Sequence, residues 1–238
     1  MVKPQKTTTN LRKLPSRERS VRSLERQHPS RSPRERILIV CSVEARDYFQ
    51  EMVDYLQLNS RVMIKSTTAT TPIEQVEEAL EISRQADPHR RLFALLDQRE
   101  PVDILPIEGE SSFVKARHLA SHHDLPGNRI FRLILTAPGF PLWLLLHFDE
   151  VQFSEFPPEE WSNRVAEKLE KFLSGGLRSG INPGLFDKTH EYLELAIKRG
   201  QRRIMVKSAS PVPSTEIHEL IIYLLKLHER SSRTSPRT

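Results

Sequence analysis

Apolar residues first run together at Ile37-Leu38-Ile39-Val40-Cys41, with no polar residue among them. An uninterrupted run of this kind suits a strand covered on both faces, as in a parallel sheet. From Glu44 to Leu58 the spacing changes, and Tyr48, Phe49, Met52, Tyr55 and Leu56 recur at helical intervals. Arg61 to Ser66 reads as a second strand through Val62, Met63 and Ile64. Thr71-Pro72-Ile73-Glu74 is a capping box with proline at the first helical position, and it opens a helix to about Gln85. Leu92-Phe93-Ala94-Leu95-Leu96 is a third buried strand, and it ends on Asp97. A helix over 111–123 and a strand over 130–135 complete a β-α-β-α-β-α-β order. That alternation predicts an α/β fold, a mainly parallel sheet with helices on both faces.

The remainder reads as helical. Pro138 to Phe148 is apolar throughout except His147, which suits a buried helix packed on the sheet. Pro157 to Leu173 carries Trp161, Val165, Leu169 and Phe172 on one face. Gly175-Gly176 and Asn182-Pro183-Gly184 mark a loop. A helix is expected over 185–199, and another capped by Ser214 or Thr215, with Ile217, Leu220, Ile221, Leu224 and Leu225 on one stripe. Past Leu227 the chain turns polar and basic, so 228–238 is expected to be an unfolded tail.

Charge changes the picture at the other end. Residues 1–36 hold 11 Lys and Arg against Glu18, Glu25 and Glu35, a net of +8 in a chain whose total is +5. The body is therefore slightly acidic, and the basicity belongs to the arm. That arm has no aromatic residue and few apolar ones, too little to bury for folding. A basic, unfolded arm of this sort suits contact with nucleic acid or with an acidic partner, although a merely solvated tail has the same composition. The expected organisation is an arm over 1–36, one domain over 37–227, and a tail.

No apolar stretch approaches the roughly 20 residues of a membrane span, and the arm has no apolar core of the signal-peptide type. The single cysteine, Cys41, rules out an internal disulfide. Together these predict a cytoplasmic protein with no membrane partner. The chain also lacks a glycine-rich phosphate loop and a G-x-S-x-G turn, which argues against nucleoside triphosphatase and α/β-hydrolase chemistry.

Sites in open parallel sheets gather beyond the carboxyl ends of the strands. Two such ends carry acids here: Glu44 and Asp47 after the first strand, Asp97 and Glu100 after the third. Carboxylates from neighbouring strand ends can converge on Mg²⁺ and support phosphoryl transfer. The structural alternative is that Glu44 and Asp47 simply face the positive end of their helix. His118 and His122, four apart on a helix, could share a zinc ion but lack a third ligand. His147 reads as a hydrogen-bonded core histidine.

Four segments, in order, resemble one known family. Arg36-Ile37-Leu38-Ile39-Val40-Cys41 with Asp47-Tyr48-Phe49 resembles the opening I-L-I-V-C-E-G-E-K-T-E-x-x-Y-F of RloB-like proteins. Phe93 to Glu100 is similar to their strand ending in D-R-D-E. Pro138 to Phe148 is similar to their N-P-x-F-E-L-W-L-L-L-H-F, and Pro213 to Leu220 to their closing P-x-T-x-V-x-x-L. The resemblance implies a Toprim-like fold, in which a Glu after the first strand and a D-x-D after a later one bind Mg²⁺ and cut phosphodiesters. It also implies an AAA-type ATPase as partner, in prokaryotic restriction or phage-defence systems.

The departures fall on the acids. Ser42 stands where the family has its first Glu, Arg99 where it has its second Asp, and Ala137 and Pro141 where it has Asn and Glu. Glu44, Asp47, Asp97 and Glu100 are the acids left as candidate catalytic residues, with Asp97, Glu44 and Glu100 as candidate metal ligands. Core letters kept while acids are lost predict a fold retained after its chemistry lapsed, serving to bind nucleic acid or a partner. The alternative is an active Mg²⁺-dependent endonuclease with relocated acids.

Overall fold

The computed structural model of the chain describes residues 35–86, 89–97, 112–122, 129–150, 157, 160–173, 183–205 and 213–234. The expected basic arm, save its last two residues, lies outside the described residues, as do Arg99, Glu100 and the loop over 174–182.

The elements run β1 (Ile37–Ser42), α1 (Val43–Tyr55), β2 (Val62–Thr67), α2 (Pro72–Gln85), β3 (Arg91–Asp97), α3 (Ser112–His122) and β4 (Ile130–Ala137). After them come α4 (Phe140–Phe148), α5 (Trp161–Phe172), α6 (Leu185–Thr189), α7 (Leu193–Met205), β5 (Ser214–Thr215) and α8 (Ile217–Thr234). The five strands lie in the order β2-β1-β3-β4-β5. The first four are parallel and β5 is antiparallel to β4. The chain builds outward from β1 to β2, then crosses back to β3 on the other side, so strand order reverses between β1 and β3.

Burial alternates along the central strands as a two-residue period requires. Ile37, Ile39, Cys41, Phe93 and Leu95 face a large core beneath α1 and α4–α8, whereas Leu38, Val40, Leu92, Ala94 and Leu96 face a smaller one with Val76, Ala79, Leu80 and Ala116. Both layers exist because these strands have no wet side. The capping box is formed as the sequence predicts: Thr71 Oγ1 accepts from the Glu74 N–H and the Glu74 carboxylate accepts from the Thr71 N–H. Trp143 is fully buried in α4. Among the described residues no helix is long and apolar enough to cross a membrane.

Three elements differ from expectation. The helix expected over 185–199 is broken into α6, a 3-10 turn over His190–Tyr192, and α7. Thr189, at the break, donates its hydroxyl to the Leu185 carbonyl, so a side chain competes with the helical ladder there. The two-residue β5 carries no readable strand signal, yet it extends the β4 edge. There the Glu216 N–H donates to Leu135 O, and the Leu135 N–H donates to the Glu216 carboxylate. The last correction concerns the tail, because α8 continues past Leu227 to Thr234. His228 Nδ1 donates to Leu56 O at 2.7 Å and Arg61 donates to Ser231 Oγ at 2.6 Å, so contacts with the α1–β2 turn hold this polar end helical.

Candidate functional site

The reversal of strand order puts the carboxyl ends of β1 and β3 side by side, the position at which open parallel sheets bind ligands. Ser42 closes β1 and Asp97 closes β3. Asp97 is buried, with 5% of its surface exposed. Short polar residues continue this edge across the sheet: Thr67 opposite Ser42, Thr136 opposite Asp97, and Thr215 opposite Thr136. The threonines are committed to local folding. Thr67 Oγ1 accepts from the Ala69 N–H and bonds Glu78, Thr136 donates to Gly139 O, and Thr215 Oγ1 accepts from the Ile217 N–H at the start of α8. Ser42 is the N-cap of α1, but its hydroxyl makes no capping bond, and its buried Oγ has no hydrogen-bond partner among the described residues.

The acids after β1 do not stand alone. Glu44 lies in the first turn of α1, where a negative charge suits the helix dipole. Asp47 is bound by its neighbour, as Arg46 Nε and Nη2 both reach Asp47 Oδ1, at 3.0 and 2.9 Å. Cys41 senses the whole group. Burial first, then the charge of Asp97, pushes its thiol up, while Arg46 pulls it down and Asp47 adds a smaller upward push. The charges of Asp97, Asp47 and Arg46 all act on that thiol, and one of the three is a permanent cation. Two of the four expected acids, Asp47 and Asp97, thus act on the same thiol, Glu44 lies in the first turn of α1, and Glu100 lies outside the described residues.

Mg²⁺ takes one or two carboxylates with open lone pairs, plus waters and phosphate oxygens. Here one oxygen of Asp47 accepts both bonds from a guanidinium, and a neutral hydroxyl, Ser42, ends β1. Among the described residues no three His, Cys, Asp or Glu side chains gather closely enough to hold a metal ion. The described acids alone do not complete that donor set. His118, of the suggested zinc pair, is exposed, and the side chain of His122 lies outside the described residues.

Directly behind this edge is a packed aromatic wall. Tyr48 meets Phe49, Phe140 and Phe186 edge-on, each at 5.5 Å between ring centres. Its hydroxyl lies 3.3 Å from His147 Nε2, and His147 Nδ1 lies 3.0 Å from the Trp143 carbonyl. A carbonyl only accepts, so Nδ1 carries the proton and Nε2 accepts from Tyr48. Burial pushes the His147 imidazole down to about 4, so at neutral pH it is uncharged and structural. Arg199 then donates to the carbonyls of Leu146 and His147 and closes the end of α4.

The model of the RloB-like protein family matches residues 37–224, most of the chain. The chain belongs to the RloB-like family. Comparison with the curated proteins finds no match, and comparison with the solved structures finds none either. In this RloB-like protein three positions that depart from the family motif lie on the edge just described, since Ser42 ends β1, Ala137 ends β4 and Pro141 stands in the first turn of α4, while Arg99 lies outside the described residues. Sequence reasoning missed Arg46, although its place between Glu44 and Asp47 was visible. It also missed Glu51, whose carboxylate accepts from the Gly184 and Phe186 N–H groups and anchors α6 to α1. No local pattern links residues so far apart.

Proposed function

We propose that this RloB-like chain is a non-cleaving, nucleic-acid-binding subunit that works beside an AAA-type ATPase in a prokaryotic defence system. The observation that carries the reading is the pairing of Arg46 with Asp47 beside a β1 that ends in Ser42. Cleavage of a phosphodiester needs developing negative charge neutralised and, usually, a base to activate the nucleophile. A guanidinium already holds Oδ1 of Asp47, and the neutral Ser42 hydroxyl cannot replace a carboxylate. What remains suited to nucleic acid is the arm, with 11 Lys and Arg over 1–36. The ATPase and the Toprim-type relationship rest on the family resemblance.

The decisive experiment incubates the full chain with DNA and with total transfer RNA, in Mg²⁺ and in Mn²⁺, alone and with the ATPase and ATP. No cleavage is expected in any arm. Metal-dependent cleavage that Asp97→Asn abolishes would overturn this reading and establish the endonuclease, with Glu44, Asp47, Asp97 and Glu100 as its acids. Binding is tested by salt: each neutralised phosphate contributes about 0.9 to the slope of log K against log salt on duplex DNA. Deleting 1–34 is expected to flatten that slope, and equal slopes would remove the arm from the account.

A further inference from the structure

An arginine stands immediately before each paired row that opens the four parallel strands: Arg36 before Ile37, Arg61 before Val62, Arg90 before Arg91 and Arg129 before Ile130. Register turns this repetition into a line across the sheet. Ile37 lies opposite both Val62 and Arg91, and Arg91 lies opposite Ile130, so one residue earlier Arg61, Arg36, Arg90 and Arg129 stand side by side. Backbone bonds fix them there. The Ile37 N–H donates to Arg61 O at 2.7 Å, and the Arg90 and Ile130 N–H groups donate to Arg36 O and Arg90 O, each at 2.9 Å. With about 4.8 Å between neighbouring strands, the row is about 14 Å long.

Like charges on adjacent strands repel, so such a row is costly unless an anion neutralises it. The partners of two members are uncharged: Arg129 donates to the Ser83 carbonyl, and Arg61 gives one Nη to Ser231 Oγ. The buried Nε–H of Arg61 has no hydrogen-bond partner among the described residues. Arg90 is exposed. Three acids occupy the connections that lead into these strands, Glu35, Asp87 and Asp124. Arg91, outside the row, holds Glu35 at 2.6 Å. With Asp87 and Asp124 both counted against the row, two of its four positive charges remain in excess.

We infer that this arginine row is a second contact for nucleic acid, one that binds the phosphate backbone on the sheet itself. It rests on the nucleic-acid-binding reading above and adds to the arm a surface built into the fold. A phosphate backbone suits a line of cations because its own charges are evenly spaced. On duplex DNA they repeat about every 3.4 Å along each strand, so a row of about 14 Å faces roughly four of them. Guanidinium groups bind phosphate oxygens through charge-assisted, two-pronged hydrogen bonds. Contacts of this kind set the position of a backbone and carry no base information, so binding at the row is independent of sequence.

The test measures the affinity of the full chain for a short duplex DNA across a salt series. Joint substitution of Arg36→Gln and Arg90→Gln is expected to lower the slope of log K against log salt by about 1.8, since each lost phosphate contact removes about 0.9. The melting temperature is expected to hold, because both side chains are exposed. Arg36→Lys with Arg90→Lys keeps the charge and should keep the wild-type slope. A slope unchanged in the glutamine pair would overturn the row; where deletion of 1–34 still flattens it, the nucleic-acid reading survives on the arm alone. No DNA binding by the wild-type chain would sink both. Polyglutamate is the remaining arm of the experiment. Should it bind as tightly as DNA and weaken equally in the glutamine pair, the row belongs to an acidic polypeptide and the backbone assignment fails.

Discussion

At the carboxyl ends of the strands, Thr67, Thr136 and Thr215 turn their hydroxyls back onto the chain, and Arg46 covers Asp47. At the amino ends, Arg36 and Arg61 line a cavity. The first place is where a parallel sheet ordinarily keeps its chemistry, because strand ends and helix starts converge there. In this RloB-like chain the threonine hydroxyls there serve the turns after β2 and β4 and the start of α8. A position favoured by the fold becomes a site only where its donors remain uncommitted, which is why fold and function must be argued separately. The amino end has no such tradition, and two cations, Arg36 and Arg61, line its cavity.

That contrast can be broken most sharply through the wall behind the carboxyl edge. Trp143 is fully buried, and Trp143→Ala should lower stability by about 3–5 kcal/mol in chemical denaturation. A near-neutral result would mean that the edge is not backed by a rigid core.

Next in size is a pH effect. Folded His147 takes up its proton only at about 4, whereas an unfolded histidine does so near 6.5. Between those values the unfolded chain binds more protons, so stability falls as pH drops from 6.5 towards 4, by about 3 kcal/mol in all. Burial also lowers His218, which adds in the same direction. His147→Gln should be less stable at pH 7 but lose less on acidification; parallel losses in both proteins would exclude His147 as the source.

A smaller effect is expected from the threonine band itself. Thr215→Ala removes the acceptor for the Ile217 N–H at the start of α8 and should cost about 1–2 kcal/mol. The smallest belongs to the other end. Arg36 is exposed, and Arg36→Gln should change stability by no more than about 0.5 kcal/mol in chemical denaturation. A large loss of stability there would make the amino end structural too, and the contrast would vanish.

Patterning alone determined the four parallel strands, the helices between them, the Thr71 capping box and the burial of Trp143. Each rests on neighbours within a few residues: an unbroken apolar run, a 3.6-residue stripe, a box three residues wide. The acids after β1 and β3 were legible for the same reason. Only the tertiary structure decided what those acids meet. No sequence pattern announces the bond from Arg46 to its neighbour Asp47, and Asp97 acts on Cys41 only because β3 lies beside β1. Glu51 anchoring α6, His228 and Ser231 keeping α8 helical to Thr234, and β5 on the β4 edge all join residues distant in sequence. A two-residue strand and a polar helix end have too little local free energy to declare themselves, so their conformation is supplied by the partners the fold brings to them.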